Sequence, residues 1–208
     1  MNDFLISWNK KWDKVVVFAG VFDPVHKAHI SAAQESLKLG KRVVFLPERA
    51  PQHKHGTTAY RHRLAMLQIA TNYEAKIDVL DYPQDQQYIT PTFEWLLQQY
   101  PSSSFVWLVG SDVLPYMHKW PDIDKLKELR VSDVYYIERA GYEVGQQYEV
   151  GKGLTAYRLQ RKKDRHTHTS HPKINSTTIR AEIKKHQNQL PSDVYEYIRE
   201  NNLYSLSD

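Results

Sequence analysis

The chain has 208 residues and no cysteine, which excludes disulfides, thiolate metal ligands and a catalytic thiol. Apolar residues make up 41% and charged residues 25%, an ordinary balance for a globular protein and too apolar for a disordered one. With 28 Lys and Arg against 24 Asp and Glu, the net charge of +4 suits anionic small molecules and falls short of a nucleic-acid footprint.

Near-continuous apolar runs alternate with helical patterns along the chain. The runs are Val15–Ala19, Val43–Leu46, Ile77–Leu80, Phe105–Val109 and Val134–Ile137. Strands without polar alternation are covered on both faces, as in a parallel sheet. Between them, His29–Leu39 puts Ile30, Ala33 and Leu37 on one stripe, Tyr60–Asn72 carries Leu64, Leu67 and Ile69, and Thr92–Tyr100 carries Phe93, Leu96 and Leu97. Ile123–Leu129 is shorter, and Thr177–His186 and Ser192–Asn201 close the chain, the last with Ser192 as its expected N-cap. Residues 138–175 read as less regular and basic. The alternation predicts an α/β fold, a doubly wound and mostly parallel sheet with helices on both faces. It is expected to be one domain over 1–208, with an extension at 1–14 and a C-terminal helical part at 176–204. The longest apolar runs are strand-length, and MNDFLISWNKKWDK lacks the cationic start and apolar core of a secretory signal, so the expectation is a cytoplasmic chain without a membrane partner.

Ligands of such sheets bind at the carboxyl ends of the strands. The first run leads directly into GVFDPVHKAH. Gly20 lets backbone approach a ligand, Asp23-Pro24 makes a tight turn, and His26 and His29, three apart at a helix start, share a face. Two imidazoles beside free N–H groups and a positive dipole end suit a phosphate. Zinc is the weaker reading, because no third ligand or cysteine pattern accompanies the pair. A second phosphate pattern is Ile174–Arg180, INSTTIR, where capping residues Asn175, Ser176 and Thr177 precede Arg180 within one helical turn.

Together these stretches resemble the nucleotidyltransferase superfamily, and most closely the nicotinate-mononucleotide adenylyltransferases. The first is similar to G-G-T-F-D-P-x-H-x-G-H, with Ala19, Val21 and Ala28 as departures, and the second to I-S-S-T-x-x-R, with Asn175 for the first Ser. Arg49–Lys54 resembles the family's P-P-H-K loop, with Gln52 for one Pro, and Arg63 with Met66-Leu67 resembles its R-x-x-M-L helix. Leu108–Asp112 with Trp120 looks like its G-x-D segment and downstream Trp; Tyr88–Phe93 looks loosely like Y-T-x-x-T-L, with Ile89 and Pro91 as departures. Glu138–Tyr142 resembles the R-P-G-Y turn, and Leu190–Tyr204 the C-terminal helix, so the likeness spans residues 15–204.

The resemblance implies transfer of AMP from ATP to nicotinate mononucleotide, giving the dinucleotide and pyrophosphate. It implies His26, His29 and Arg180 as catalytic residues. ATP would lie on Ala19, Gly20, Val21, Phe22, His26, His29, Gly110, Asp112, Ile174, Ser176, Thr177 and Arg180. The acceptor would lie on His53, Lys54, Arg63, Tyr88, Thr90 and Trp120, whose indole would stack on the pyridine. Mg²⁺ would bridge the phosphates and keep several waters, without a protein cage. Three alternatives stay open. The acceptor could be the amide form or another phosphate such as phosphopantetheine. The chain could be a degenerate paralogue that binds nucleotides without turnover. Or the basic stretch 158–173, with His166, His168 and His171, could bind RNA, although a solvated loop is the simpler reading.

Overall fold

Strand and helix alternate from Lys14 onward in the computed structural model, which describes residues 14–51, 56–83, 88–139, 141–151, 153–160 and 175–204. The strands are β1 (Lys14–Gly20), β2 (Arg42–Pro47), β3 (Ile77–Val79), β4 (Ser104–Gly110), β5 (Val131–Ile137), β6 (Gln147–Gly151) and β7 (Leu154–Arg158). They form one sheet in the order β3-β2-β1-β4-β5-β7-β6. Every pairing is parallel except β6 with β7. The helices are α1 (Lys27–Ser36), α2 (Tyr60–Thr71), α3 (Thr90–Gln99), α4 (Leu114–Met117), α5 (Ser176–Ala181) and α6 (Ser192–Glu200).

Successive strand residues point to opposite faces, so an unbroken apolar strand must be covered twice. Val15, Val17, Phe105 and Trp107 bury against Phe93 and Leu96 of α3 and Leu114 and Met117 of α4. Val16, Phe18, Val106 and Leu108 bury on the other face against Ala32 and Ala33 of α1, Met66 and Leu67 of α2, Ile179 of α5, and Val194 and Ile198 of α6. The two-sided core is what the uninterrupted runs required.

Three local expectations change. Residues 138–175 contain the β6–β7 hairpin that the sequence pattern did not reveal. Ser192 is the first helical residue rather than the cap; Pro191 holds the cap position, and the Ser192 hydroxyl donates to Asp193 at 2.9 Å. The helix expected over Thr177–His186 is α5 alone, six residues long, with Glu182 leaving helical geometry at φ −140° and ψ 59°. The strand order places a switch point between β1 and β4. The chain winds outward from β1 through β2 to β3, then returns to β4 on the other side. The pairing runs as far as Phe18 with Leu108, and both strands end two residues later, at Gly20 and Gly110. The crevice beyond these two glycines is where a ligand of such a sheet sits.

Candidate active site

The loop after β1 turns through Phe22 at φ +51°, a left-handed conformation unusual for a residue with a side chain. Packing holds it there. The Phe22 ring meets Phe18, Phe45 and His29 edge-on at 5.1–5.3 Å between centroids. A side chain on Gly20 would come within 3.2 Å of that ring, which explains the glycine. Helix α1 then starts with His26 as its N-cap.

His26 and His29 stack with centroids 3.7 Å apart, and both are buried. The His26 N–H donates to His29 Nδ1 at 3.3 Å, so a neutral His29 carries its proton on Nε2. His26 Nδ1 is buried without a hydrogen-bond partner among the described residues. Burial, assisted by the positive charge of Arg139, pushes the His26 imidazole down to about 3. It is therefore neutral at pH 7, and the pair contributes hydrogen-bonding edges rather than two positive charges.

Across the crevice, β4 ends at Gly110 and passes into a short turn, Ser111–Val113. A Cβ on Gly110 would fall 2.2 Å from Asp112 Oδ1 and 2.4 Å from Arg139 Nε. A side chain there would have to displace the Asp112–Arg139 pair, 3.1 Å apart, that crosses the strand end. The Arg139 N–H donates to the Ser111 hydroxyl at 2.9 Å, which ties the end of β5 to the same turn.

The second motif joins the first. Asn175 caps α5, its side-chain oxygen accepting from the Thr178 N–H at 2.8 Å. The Ser176 hydroxyl donates to the Pro24 carbonyl at 3.0 Å. Arg180 donates to the Asp23 carbonyl, lies 3.7 Å from the Asp23 carboxylate, and reaches Thr177 Oγ1 at 3.4 Å. Ser176 and Arg180 thus bond to the Asp23-Pro24 turn that leads into His26 and His29. Ala19 is the penultimate residue of β1, and Val21 is largely buried, its carbonyl accepting from Arg63.

Thr90 is buried at the start of α3, and Tyr88 is exposed just before it. Trp120 packs on the buried Trp107, the central residue of β4, with centroids 5.9 Å apart. Arg63 is not a surface cation. It is 1% exposed, and its guanidinium donates to the carbonyls of Thr58, Val21 and Arg49 at 2.8–3.1 Å. These three bonds fix the guanidinium beneath the loop after β1 and use three of its five N–H donors. Ile174, His53 and Lys54 lie outside the described residues, as does most of the basic stretch 158–173.

Sequence reasoning missed Arg139 and the buried carboxylate of Asp23. The R-A-G-Y turn signalled the former only by likeness. Asp23 read as a turn residue, but its carboxylate accepts from the Tyr204 hydroxyl at 2.6 Å and from the Thr58 N–H at 3.1 Å.

A family model described as Cytidylyltransferase-like matches residues 17–182. The chain belongs to this family. A Listeria monocytogenes (serotype 4a, strain HCC23) protein named "Probable nicotinate-nucleotide adenylyltransferase" is 29% identical over 198 residues, covering 92% of this chain and 97% of its own. A Bacillus mycoides (strain KBAB4) protein of the same name is 34% identical over 146 residues, 67% of this chain and 76% of that one. The fold matches that of Plasmodium falciparum nicotinic acid mononucleotide adenylyltransferase, solved with NaAD, at a TM-score of 0.69 and 20% identity over 94% of this chain and 98% of that one. Among the described residues no helix is long and apolar enough to cross a membrane.

Proposed function

We propose that the protein is an adenylyltransferase of the cytoplasm that moves AMP from ATP to nicotinate mononucleotide, forming nicotinate adenine dinucleotide and pyrophosphate in NAD biosynthesis. The observation that carries the reading is the joining of the two phosphate motifs at the β1–β4 switch point through Ser176 to Pro24 and Arg180 to Asp23. The names of the curated relatives, and the dinucleotide bound to the Plasmodium enzyme, support the choice of substrates.

In this reaction an oxygen of the acceptor phosphate attacks the α-phosphorus of ATP, and the bond to the β-phosphate oxygen breaks. The attacking phosphate is already ionised at neutral pH, so no strong general base is needed. The work is to hold two anions in line and to stabilise charge on the α-phosphate and the departing pyrophosphate. The backbone from Ala19 to Phe22, the neutral His26, and His29 would face the triphosphate. His29 Nε2–H would donate to an oxygen that gains charge. Arg180, with Ser176, Thr177 and the neighbouring Ile174, would hold the β/γ end. Gly110 and Asp112 would border the nucleotide, and Tyr88, Thr90 and Trp120 the pyridine, with His53 and Lys54 on the acceptor phosphate.

Among the described residues, no group of three or more His, Cys, Asp or Glu is arranged to hold a metal ion. Asp23 is already engaged by Tyr204 and Thr58. Mg²⁺, arriving on the triphosphate and retaining its waters, is the ion we propose. When bound it neutralises phosphate charge.

The test is pyrophosphate release from Mg-ATP with nicotinate mononucleotide, its amide and phosphopantetheine. No acidic residue lies between Tyr116 and Trp120 to repel a carboxylate. The acid should give the highest kcat/KM. A preference for the amide would overturn the acceptor while leaving adenylyl transfer intact; ATP binding without turnover on any acceptor would favour the degenerate paralogue.

A further inference from the structure

The last described residue, Tyr204, is bonded to a residue 181 positions earlier, at the heart of the first motif. Asp23 is 3% exposed, so its carboxylate depends on protein donors. One oxygen takes the Tyr204 hydroxyl at 2.6 Å; the other takes the Thr58 N–H at 3.1 Å and has the Arg180 guanidinium 3.7 Å away. The Asp23 carbonyl accepts from the same guanidinium. Burial and the adjacent carboxylate push the Tyr204 hydroxyl well above the usual phenol range, so it stays protonated and donates throughout the working pH range. Its backbone is left-handed at φ +62°, and its ring packs on the core beneath α1 and α6.

We propose that Tyr204 is a positioning residue for adenylyl transfer: its hydroxyl occupies one oxygen of the Asp23 carboxylate and thereby sets how closely Asp23 holds the Arg180 guanidinium. The proposal rests on the reading of Arg180 as a triphosphate ligand. The physical reason is competition. Without the hydroxyl, Asp23 loses a charge-assisted bond in a buried place, and Arg180 stands within ion-pair distance of its other oxygen. The carboxylate turns toward it, the looser contact closes into a direct ion pair, and the guanidinium is drawn away from phosphate. Tyr204 is thus a brake on that pair. Phe at the same position keeps the ring packing and removes only the hydroxyl.

The test compares wild type, Tyr204→Phe, Arg180→Lys and the double variant. Equilibrium binding of Mg-α,β-methylene-ATP is measured calorimetrically, and KM for each substrate is measured where turnover occurs. Tyr204→Phe should weaken analogue binding and raise KM for ATP about tenfold, the effect of one lost charge-assisted bond. KM for the mononucleotide should stay within about twofold, because the network reaches the triphosphate arm. In the Arg180→Lys background the Phe substitution should have less effect, since the group through which Tyr204 acts is altered. A merely structural role would lower thermal stability and shift both KM values together. Unchanged analogue binding by Tyr204→Phe, equal shifts for both substrates, or full additivity with Arg180→Lys overturns the proposal, as does a wild type that does not bind the analogue. Absence of turnover with normal analogue binding instead counts against the adenylyl-transfer reading and leaves the binding comparison decisive. Should Tyr204→Phe fold poorly, Asp23→Asn supplies the converse: weakening the attraction for Arg180 should leave Tyr204→Phe without effect on analogue affinity.

Discussion

Acid should cost this fold stability through one imidazole. His26 titrates at about 3 in the folded chain because burial, and secondarily the charge of Arg139, oppose its protonation. In the unfolded chain it regains the ordinary value near ~6.5. The folded value is the lower one, so between the two the unfolded chain binds the extra proton. Stability therefore rises with pH in that window and is lost as pH falls through 6.5 toward 3. Between pH 7 and pH 5 the linkage from this group alone amounts to about 2 kcal/mol. Urea unfolding at pH 7, 6 and 5, at fixed ionic strength, measures it in wild type and in His26→Gln. The variant lacks the titration while other carboxylates and histidines remain common to both. The wild type should lose about 2 kcal/mol more than the variant over that range, whatever their absolute stabilities. Equal losses would refute the reasoning, showing that His26 takes up its proton in the folded chain without penalty.

Three substitutions test the remaining geometry. His29→Ala should lower kcat by roughly 10²-fold with a smaller effect on ATP affinity, the pattern of a donor used chiefly in the transition state; an unaltered kcat in a folded variant would remove His29 from the reaction. Arg180→Lys should not restore wild-type kinetics, because a point cation cannot span the Asp23 carbonyl and Thr177 Oγ1 as the guanidinium does. Wild-type KM for ATP in that variant would show that charge alone suffices. Gly110→Ala should cost about 1–3 kcal/mol in urea unfolding and lower kcat/KM, since the new methyl displaces the Asp112–Arg139 pair; an unchanged unfolding midpoint would mean the pair moves aside freely.

The parallel strands were legible because Val15–Ala19 and Phe105–Val109 are apolar at every position, a pattern only two-sided burial explains. The phosphate motifs were legible because their residues are local: His26 and His29, or Asn175 and Arg180, reveal themselves within one or two turns. The β6–β7 hairpin was hidden because only Val150 of β6 is fully buried, which leaves no clear alternation in a sheet-edge strand. The end of α5 was hidden because Ile183 is buried at helical spacing from Ile179 although the helix has stopped. The burial of Arg63 was hidden because a helix pattern cannot show three carbonyls converging from other loops. Asp23 with Tyr204 had no local signal at all.

That last pairing bears on how the molecule comes into being. The tie from Tyr204 to Asp23 closes a loop of 181 residues, longer than the one closed by the pairing of β1 with β4. Long closures carry the larger entropic cost, and non-local contacts are slow to form. During synthesis Asp23 emerges first and waits for Tyr204, so the tethered form of the first phosphate loop becomes available only once the chain has been made as far as Tyr204. A chain cut just short of Tyr204 retains the apolar strands of both faces but loses this clasp, and would have a folded scaffold around an unfastened site.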